Sequence, residues 1–479
     1  MRPIDVAEPD NESPVTTATS STRLFKPHVA GRLVFIFAVL LRFPAIVYGP
    51  ATIEEHRLAA GGAMLAAGGT MFVDVVDYGS PVDYATYAAV YALSFPFNHT
   101  GIVILAMLLT VATALLLGAA VRRIAGDDAG AVAALGYVLF SPSTANLGAL
   151  AVSPPLLATF FLTVALWAWL EFRARANGAF ATLAGLAAGL ASLYVGPYAL
   201  VLIVIVFIVD SRTFGFAAFG TSLVPWIITV GIVESIPLGL DYLMRYQALR
   251  TLDSPEDALG TIGIAVLQLA IPLAIVIYAA LRNFRAFLPR EHRFVLFWLA
   301  ASLIVPIVAK GRGTTSFLPL LPPLLVVAAP HFAMLARRSP RLILAATFTP
   351  VLLLTAFQWA RPKFESLLDP NRIDLTSPVA AIRHATRVTD PIFVWGKDAE
   401  RLYVAAERRP ASRHFQPSLR YHPKFRDEQI VSDFERQKPR IVIDLGPEKF
   451  KNAHDLAEHV EKFYRLIETG RDYRIYARQ

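Results

Sequence analysis

The sequence lacks cysteine altogether, and it is poor in charged residues for its length. Without cysteine, the 479-residue chain can form no disulfide, no thiolate nucleophile and no cysteine metal site. Charged residues make up 17% of the chain and hydrophobic residues 55%, whereas a soluble domain carries about 25% charged residues. A chain of this composition has lipid rather than water around much of its surface, so we predict an integral membrane protein.

Basic residues outnumber acidic ones, 45 to 37, but their distribution argues against binding to nucleic acid. There is no basic stripe with interleaved aromatic residues. The arginines instead form short clusters between apolar runs, at 173–175, 282–290 and 337–341. Such clusters mark the cytoplasmic loops of membrane proteins. The last span then runs outward, which places the C-terminal quarter of the chain outside the cytoplasm.

Apolar runs separate a membrane part from two flanking parts. Residues 1–27 are rich in Pro, Ser, Thr and acids and are predicted to be a disordered cytoplasmic tail. Between 28 and 360 the runs predict about 11–13 spans or half-spans, at about 20 residues for a full crossing. If every run crosses, Arg122 and Arg123 fall on the outer face, so the topology of residues 98–155 stays open.

The C-terminal part, residues 361–479, has the pattern of a small soluble α/β domain. Two buried strands are predicted, at 391–396 and 440–446, because each is a mostly apolar run that ends in glycine before a helical stretch. Strands that alternate with helices form a sheet covered by those helices. The predicted fold class is therefore a polytopic α-helical membrane protein with a C-terminal small α/β extracytoplasmic domain.

Two long outer segments interrupt the membrane part, at 49–83 and 234–259. In the first, the apolar spacing from Leu58 to Leu65 predicts a short helix lying on the membrane. This segment also carries most of the acids near the water–lipid boundary: Glu54, Glu55, Asp74, Asp77 and Asp83. A partly buried carboxylate in such a place can serve as a general base.

Glu54 and Glu55 are the candidate catalytic residues of this segment, and Asp74 and Asp77 are candidates for substrate binding. Adjacent residues on a helix point about 100° apart, so one glutamate of the pair is expected to face the cavity and the other to face away. The alternative interpretation is that an acidic loop simply prefers the outer face.

Positive charge near the same boundary can bind the phosphate of a leaving group. The candidates are Arg42 near the end of the first span, Arg245 in the second outer segment, and Lys310 and Arg312 in a Gly-rich turn. An ionised group at a membrane boundary needs a partner, which favours function, while contact with lipid headgroups is the alternative. The histidines show no metal-binding spacing, so no cofactor is predicted and a divalent metal is left open.

Several short motifs follow one another along the chain in an order that a known superfamily shares. They are Ile53-Glu-Glu-His-Arg57, Met64-Leu-Ala-Ala-Gly68, Asp74-Val-Val-Asp-Tyr-Gly-Ser-Pro81, the Leu- and Pro-rich stretch Lys310–Pro323, and Asp390-Pro-Ile-Phe-Val-Trp-Gly396 with Arg409-Pro-Ala-Ser-Arg413. In this order they resemble bacterial members of the GT-C superfamily close to the protein O-mannosyltransferases and the lipid A aminoarabinose transferases, glycosyltransferase families 39 and 83. The motifs cover most of the chain, and the last is the most specific.

The resemblance implies an inverting transfer of a sugar from a polyprenyl-phosphate donor to an acceptor at the outer face of the bacterial cytoplasmic membrane. It leaves the sugar and the acceptor unidentified. Glu54 stands where the family has its catalytic Asp, and Glu55 where the next Glu stands. Ser-Pro-Pro at 153–155 and Leu-Tyr-Val at 193–195 replace an acid and a lysine that relatives often carry. The alternative is a catalytically degenerate subunit that binds lipid or scaffolds a complex with protein partners.

Overall fold

The computed structural model describes a helical bundle followed by a small sheet domain. The described residues are 27–49, 52–77, 80–142, 151–195, 207–208, 210–237, 239–241, 269–282, 294–308, 314–339, 373–396, 398–415, 428–446, 450 and 453–479, with single positions between 341 and 360. Three of the candidate cations, Arg245, Lys310 and Arg312, lie outside these residues, as does the predicted tail up to residue 26.

Helices account for nearly all of the described residues up to 339. They are α1 Pro27–Tyr48, α2 Ile53–Ala66, α3 Pro81–Leu93, α4 His99–Ala125, α5 Asp127–Phe140, α6 Pro154–Arg175, α7 Gly178–Val195, α8 Arg212–Ser222, α9 Val224–Glu234, α10 Ala270–Arg282, α11 Phe294–Val308 and α12 Leu321–Arg338. A 3-10 turn, Thr314–Leu320, leads into α12. Proline at the first helical positions of α3, α6, α9 and α12 fits the start of a helix, where a missing N–H costs nothing.

Five helical segments within the described residues are long and apolar enough to cross a bilayer. They are His28–Tyr48, His99–Ala125, Pro154–Arg175, Arg212–Glu234 and Phe317–Arg338. The fourth of these joins α8 and α9 into one segment. Together with the shorter apolar helix α7, they confirm the prediction of a helical, multi-pass membrane protein.

Ion pairs bring the basic ends of the helices to one end of the bundle, here named the basic face. Glu171, near the end of α6, pairs with Arg123 at the end of α4 (2.5 Å) and with Arg175 one turn further on (2.8 Å). Asp128, at the start of α5, pairs with Arg337 at the end of α12. The basic ends of α4, α6 and α12 therefore lie on the same face, and the opposite end of the bundle is named the loop face.

Helix α3 begins and ends at the loop face. The hydroxyl of Ser80, just before α3, donates to the carbonyl of Leu193 near the end of α7 (2.9 Å). His99, which begins α4, hydrogen-bonds through Nε2 to the carbonyl of Ala45 near the end of α1 (3.1 Å). At about 1.5 Å per residue, a 13-residue helix is about 20 Å long, short of a crossing. Within the described residues, the apolar run at 84–97 therefore does not cross the bundle, and the arginines of α4 lie at the basic face.

The C-terminal domain is a four-stranded sheet with helices packed against it. Its elements are α13 Thr376–Ala385, β1 Ile392–Gly396, α14 Ala399–Ala406, α15 Glu428–Gln437, β2 Ile441–Leu445, α16 His454–Phe463, β3 Tyr464–Thr469 and β4 Tyr473–Arg478. The strand order is β1-β2-β4-β3, with β1 and β2 parallel and the other neighbours antiparallel. Both strands predicted from the sequence are confirmed.

The two parallel strands are buried along their whole length, which explains why they are mostly apolar on both faces rather than alternating. Asp444 is the one charged residue in these two strands. Phe393 of β1 packs against Phe434 of α15 with their ring centroids 4.9 Å apart. Val460 of α16 and Tyr476 of β4 complete the same buried cluster. Helix α15 is thereby fixed to the sheet. Its position determines where the C-terminal domain contacts the first outer segment.

Candidate functional site

The site is built on the predicted short helix of the first outer segment, α2. Thr52 caps its start, since the hydroxyl accepts the N–H of Glu55 at 3.2 Å. Two glutamates in the first turn complement the helix dipole. The chain leaves the helix through Gly68, whose φ of +89° is one that glycine adopts readily. Helix α2 packs between α3 and α14 of the C-terminal domain.

The two candidate catalytic glutamates point to different environments, as the 100° rule predicts. The side chain of Glu54 is 50% exposed, whereas Glu55 is 4% exposed. Glu54 is therefore open to solvent, whereas Glu55 is buried in α2. The sequence predicted the divergence of the pair but not which glutamate is buried.

Glu54, Arg57, Asp77 and Tyr84 form one connected group, here named the Asp77 cluster. Arg57 lies 3.6 Å from the carboxylate of Glu54 and 3.1 Å from that of Asp77. The hydroxyl of Tyr84 donates to Oδ2 of Asp77, the same oxygen that lies 3.1 Å from Arg57, and the Asp77 side chain is 2% exposed. A buried carboxylate with two donors is a fixed anchor, so Asp77 determines where Arg57 lies and Arg57 lies beside Glu54.

Arg57 is the cation of this cluster. Burial favours its neutral form, but the negative charges of Asp77 and Glu54 outweigh that effect and raise the pKa of Arg57 above its ordinary value. Arg57 therefore carries its charge at every physiological pH, while its side chain keeps 21% of its surface exposed. A partly exposed guanidinium can still donate hydrogen bonds to an anionic group that docks at the loop face.

Two glycines of α2 allow α3 to approach it closely enough to form the cluster. A Cβ on Gly61 would lie 2.4 Å from Cε1 of Tyr84, and one on Gly62 would lie 2.5 Å from Cβ of Tyr87. Both distances are too short for a side chain larger than hydrogen. The glycine pair therefore serves close packing between α2 and α3.

Asp74 links the first segment to the C-terminal domain. One carboxylate oxygen accepts the N–H of Thr70 at 2.9 Å and closes the turn after α2. The other lies 3.0 Å from Nη1 of Arg436 on α15. Val76 also donates its N–H to the carbonyl of Arg413, at 3.3 Å. The structure therefore places Asp74 in a contact between domains, three residues before Asp77.

Arg42 lies apart from this surface, within α1. It is 1% exposed and interacts electrostatically with Tyr137 of α5. A buried guanidinium in a membrane helix is costly unless it is paired or reaches a water-filled cavity, which keeps Arg42 a candidate. Within the described residues, no group of three His, Asp or Glu side chains is placed to hold a metal ion.

Arg57 and Tyr84 are the functional candidates that the sequence did not single out. Arg57 was visible as the one cation of an acidic segment, three residues after Glu54, and that spacing places the two on one face of a helix. Tyr84 gave no such signal, because its partner Asp77 lies across a turn that the sequence does not specify.

Comparison with known proteins identifies the class of the fold. No family model and no curated protein matches the sequence. In structure, the chain is similar to ArnT from Cupriavidus metallidurans bound to undecaprenyl phosphate, with a TM-score of 0.67 and 12% identity over 95% of this chain and 98% of that one. The apo form of ArnT aligns with a TM-score of 0.64 at 12% identity, over 94% and 98% of the two chains.

A second kind of solved structure shares the fold less closely. The Archaeoglobus fulgidus oligosaccharyltransferase, in complex with Zn and sulfate, aligns with a TM-score of 0.52 and 12% identity over 94% of this chain and 73% of that one. ArnT, an aminoarabinose transferase, and this oligosaccharyltransferase are both members of the GT-C superfamily. The resemblance found in the sequence is thus confirmed: this chain has the GT-C fold of polytopic membrane proteins, and at 12% identity the likeness is one of fold.

Proposed function

We propose that the chain is a membrane glycosyltransferase that moves a sugar from a polyprenyl-phosphate donor to an acceptor. The observation that carries the proposal is the likeness, over nearly the whole of both chains, to a transferase structure with undecaprenyl phosphate bound. The Asp77 cluster adds a carboxylate and a cation together at the loop face. By the positive-inside rule, the basic face is cytoplasmic and the loop face and C-terminal domain are outside.

In this mechanism Glu54 is the general base. Its carboxylate accepts the proton of an acceptor hydroxyl as the hydroxyl oxygen attacks the anomeric carbon of the donor sugar. The bond from that carbon to the phosphate oxygen breaks, and the polyprenyl phosphate leaves with the electron pair. Attack opposite to the leaving group inverts the anomeric centre. The 50% exposure of the Glu54 side chain leaves room for the acceptor.

The leaving phosphate needs cations at the level of the base. Arg57 supports this role because it lies 3.6 Å from Glu54 and holds its charge through Asp77. Lys310 and Arg312 remain proposed phosphate contacts on the strength of their Gly-rich turn, and Arg42 and Arg245 are further proposed contacts.

The substitution Glu54→Gln tests the proposal. It keeps the size and hydrogen-bonding groups of the side chain but removes its basicity, and we expect transfer to fall by about 10²–10⁴-fold. The measurement is sugar transfer by the purified protein in lipid nanodiscs, with a panel of polyprenyl-phosphate sugars and a membrane-extract acceptor. The matched control is Glu428→Gln, also an exposed acid in the first turn of a helix, on the far domain. Full activity of Glu54→Gln contradicts the assignment.

A second measurement distinguishes an enzyme from a degenerate subunit. Native mass spectrometry of the same preparations detects polyprenyl phosphate bound to the protein. A parent protein that carries this lipid but transfers no sugar from any donor in the panel favours the lipid-binding or scaffolding alternative. Loss of transfer in Glu54→Gln, with the lipid still bound, supports the role of a base.

A further inference from the structure

We propose that Asp433, in the C-terminal domain, is a positioning residue for the Asp77 cluster. Through Arg413 and Arg436 it holds the turn at 70–77 against the domain, and that turn carries Asp77. The inference rests on the proposed function for its catalytic consequence, while the holding of the turn stands on the contacts alone.

Asp433 is the centre of a buried hydrogen-bond network. Its side chain is 0% exposed, and it lies on α15, which the sheet fixes in place. It accepts from the hydroxyl of Ser412 and from the N–H of Arg413, both at 2.9 Å. The guanidinium of Arg413 adds two further bonds, Nη2 at 2.7 Å and Nε at 3.0 Å. Such a two-pronged pair fixes both position and orientation.

The network reaches the first loop at two points. The carbonyl of Arg413 accepts the N–H of Val76 at 3.3 Å. Arg436 lies 3.4 Å from Asp433 with Nη2 and 3.0 Å from Asp74 with Nη1, so one guanidinium spans both carboxylates. These two attachments lie on either side of residue 75, and the next residue along the chain is Asp77. The C-terminal domain thereby holds the backbone of the turn next to Asp77, the residue that determines where Arg57 lies.

The charge of Asp433 is essential to this arrangement. An asparagine has the same shape, but it cannot accept the two-pronged bond from Arg413 and the bond from Arg436 as an anion does. Arg413 and Arg436 would lose the carboxylate that holds them in position against the turn at 70–77. Displacement of a positioned catalytic group by about 1 Å can cost on the order of 10²-fold in rate. A contact remote from Glu54 can therefore affect catalysis.

The first experiment measures transfer by Asp433→Asn. We expect kcat to fall about 10-fold or more with KM for the lipid donor little changed, since the lipid is bound by the helical part. The matched control is Asp444→Asn, which changes an equally buried carboxylate of the same domain. That carboxylate accepts from Phe450 N–H and from Arg474, both inside the domain, so its kcat should stay near that of the parent.

The second experiment follows the turn without any assay of transfer. Because the chain has no cysteine, Val75→Cys creates a single reporter, and Val75 is 0% exposed. We expect a maleimide to label it slowly in the parent and several-fold faster in Asp433→Asn, but not in Asp444→Asn. If Asp433→Asn does not fold, Arg436→Met takes its place, since it changes a side chain that is 43% exposed, and faster labelling is again expected. Arg436→Lys keeps the positive charge, so labelling should stay slow.

The outcomes separate this inference from the proposed function. Faster labelling together with a lower kcat supports the positioning role. Unchanged labelling, or faster labelling with an unchanged kcat, overturns it. If the parent transfers no sugar, the proposed function has failed, and the labelling rates alone decide whether the C-terminal domain holds the turn.

Discussion

The two ends of the helical bundle are both held by ion pairs around a buried carboxylate, but the pairs are arranged differently. At the basic face, Glu171 is 4% exposed and its two arginines, Arg123 and Arg175, are 43% and 57% exposed. At the loop face, Asp77 is 2% exposed and its partner Arg57 is only 21% exposed. At the basic face the carboxylate is buried and its arginines are exposed to water. At the loop face the carboxylate is buried and the arginine is mostly buried as well.

The series of ion pairs also ends on different kinds of residue at the two faces. At the basic face it ends on arginines at helix ends, which suits a clamp on α4 and α6. At the loop face it continues from Arg57 to a half-exposed carboxylate, Glu54, and a second domain holds the backbone beside it. A stability clamp has no use for an exposed acid next to a fixed cation, whereas a reaction site requires one. The comparison favours the proposed assignment of the loop face to function and of the basic face to folding.

The largest effect is expected from Asp77→Asn, which tests this assignment at the loop face. Removing one partner of a buried pair leaves the other charge enclosed, at a cost of about 3–5 kcal/mol. Transfer should fall as well, because Arg57 no longer holds its place beside Glu54. Denaturant unfolding in detergent and the nanodisc transfer assay measure the two effects. Retention of both stability and activity would contradict the role of Asp77 as an anchor.

A smaller effect is expected from Glu171→Gln at the basic face. The amide still accepts hydrogen bonds, and Arg123 and Arg175 are exposed enough for water to solvate them, so the cost should be about 1–3 kcal/mol. Transfer per folded molecule should equal that of the parent. The same two assays apply, with Asp77→Asn measured alongside. A loss of transfer as large as that of Asp77→Asn would break the distinction between the faces.

Local patterns in the sequence were sufficient to predict the elements from which these faces are built. The strands at 391–396 and 440–446 were recognisable because short runs of mostly β-branched and aromatic residues lead to a glycine. The spacing from Leu58 to Leu65 indicated α2. In each case the determining interactions lie within a few residues of one another.

What the sequence could not predict depends on partners far apart in the chain. The apolar run at 84–97 has the composition of a span, yet its ends bond to groups at the loop face and it does not cross. The contact of Asp74 with Arg436 joins residues that are far apart in the chain. The sequence around either residue does not predict its partner. The candidate site was therefore predictable in its glutamates but not in the network that holds them.

The smallest effect is expected from Glu407→Gln. This variant removes an ion pair whose carboxylate is exposed, so it measures the contribution of pairing without burial of the carboxylate. Arg383 and Glu407 lie 3.1 Å apart in the C-terminal domain, with side chains 50% and 55% exposed. Water and salt screen such a pair, so its loss should change the free energy of unfolding by less than about 0.5 kcal/mol and leave transfer unaffected. Comparison with Glu171→Gln in the same unfolding assay then measures the contribution of a buried centre. Equal losses at the two sites would show that pairing, not burial of the carboxylate, gives these networks their strength.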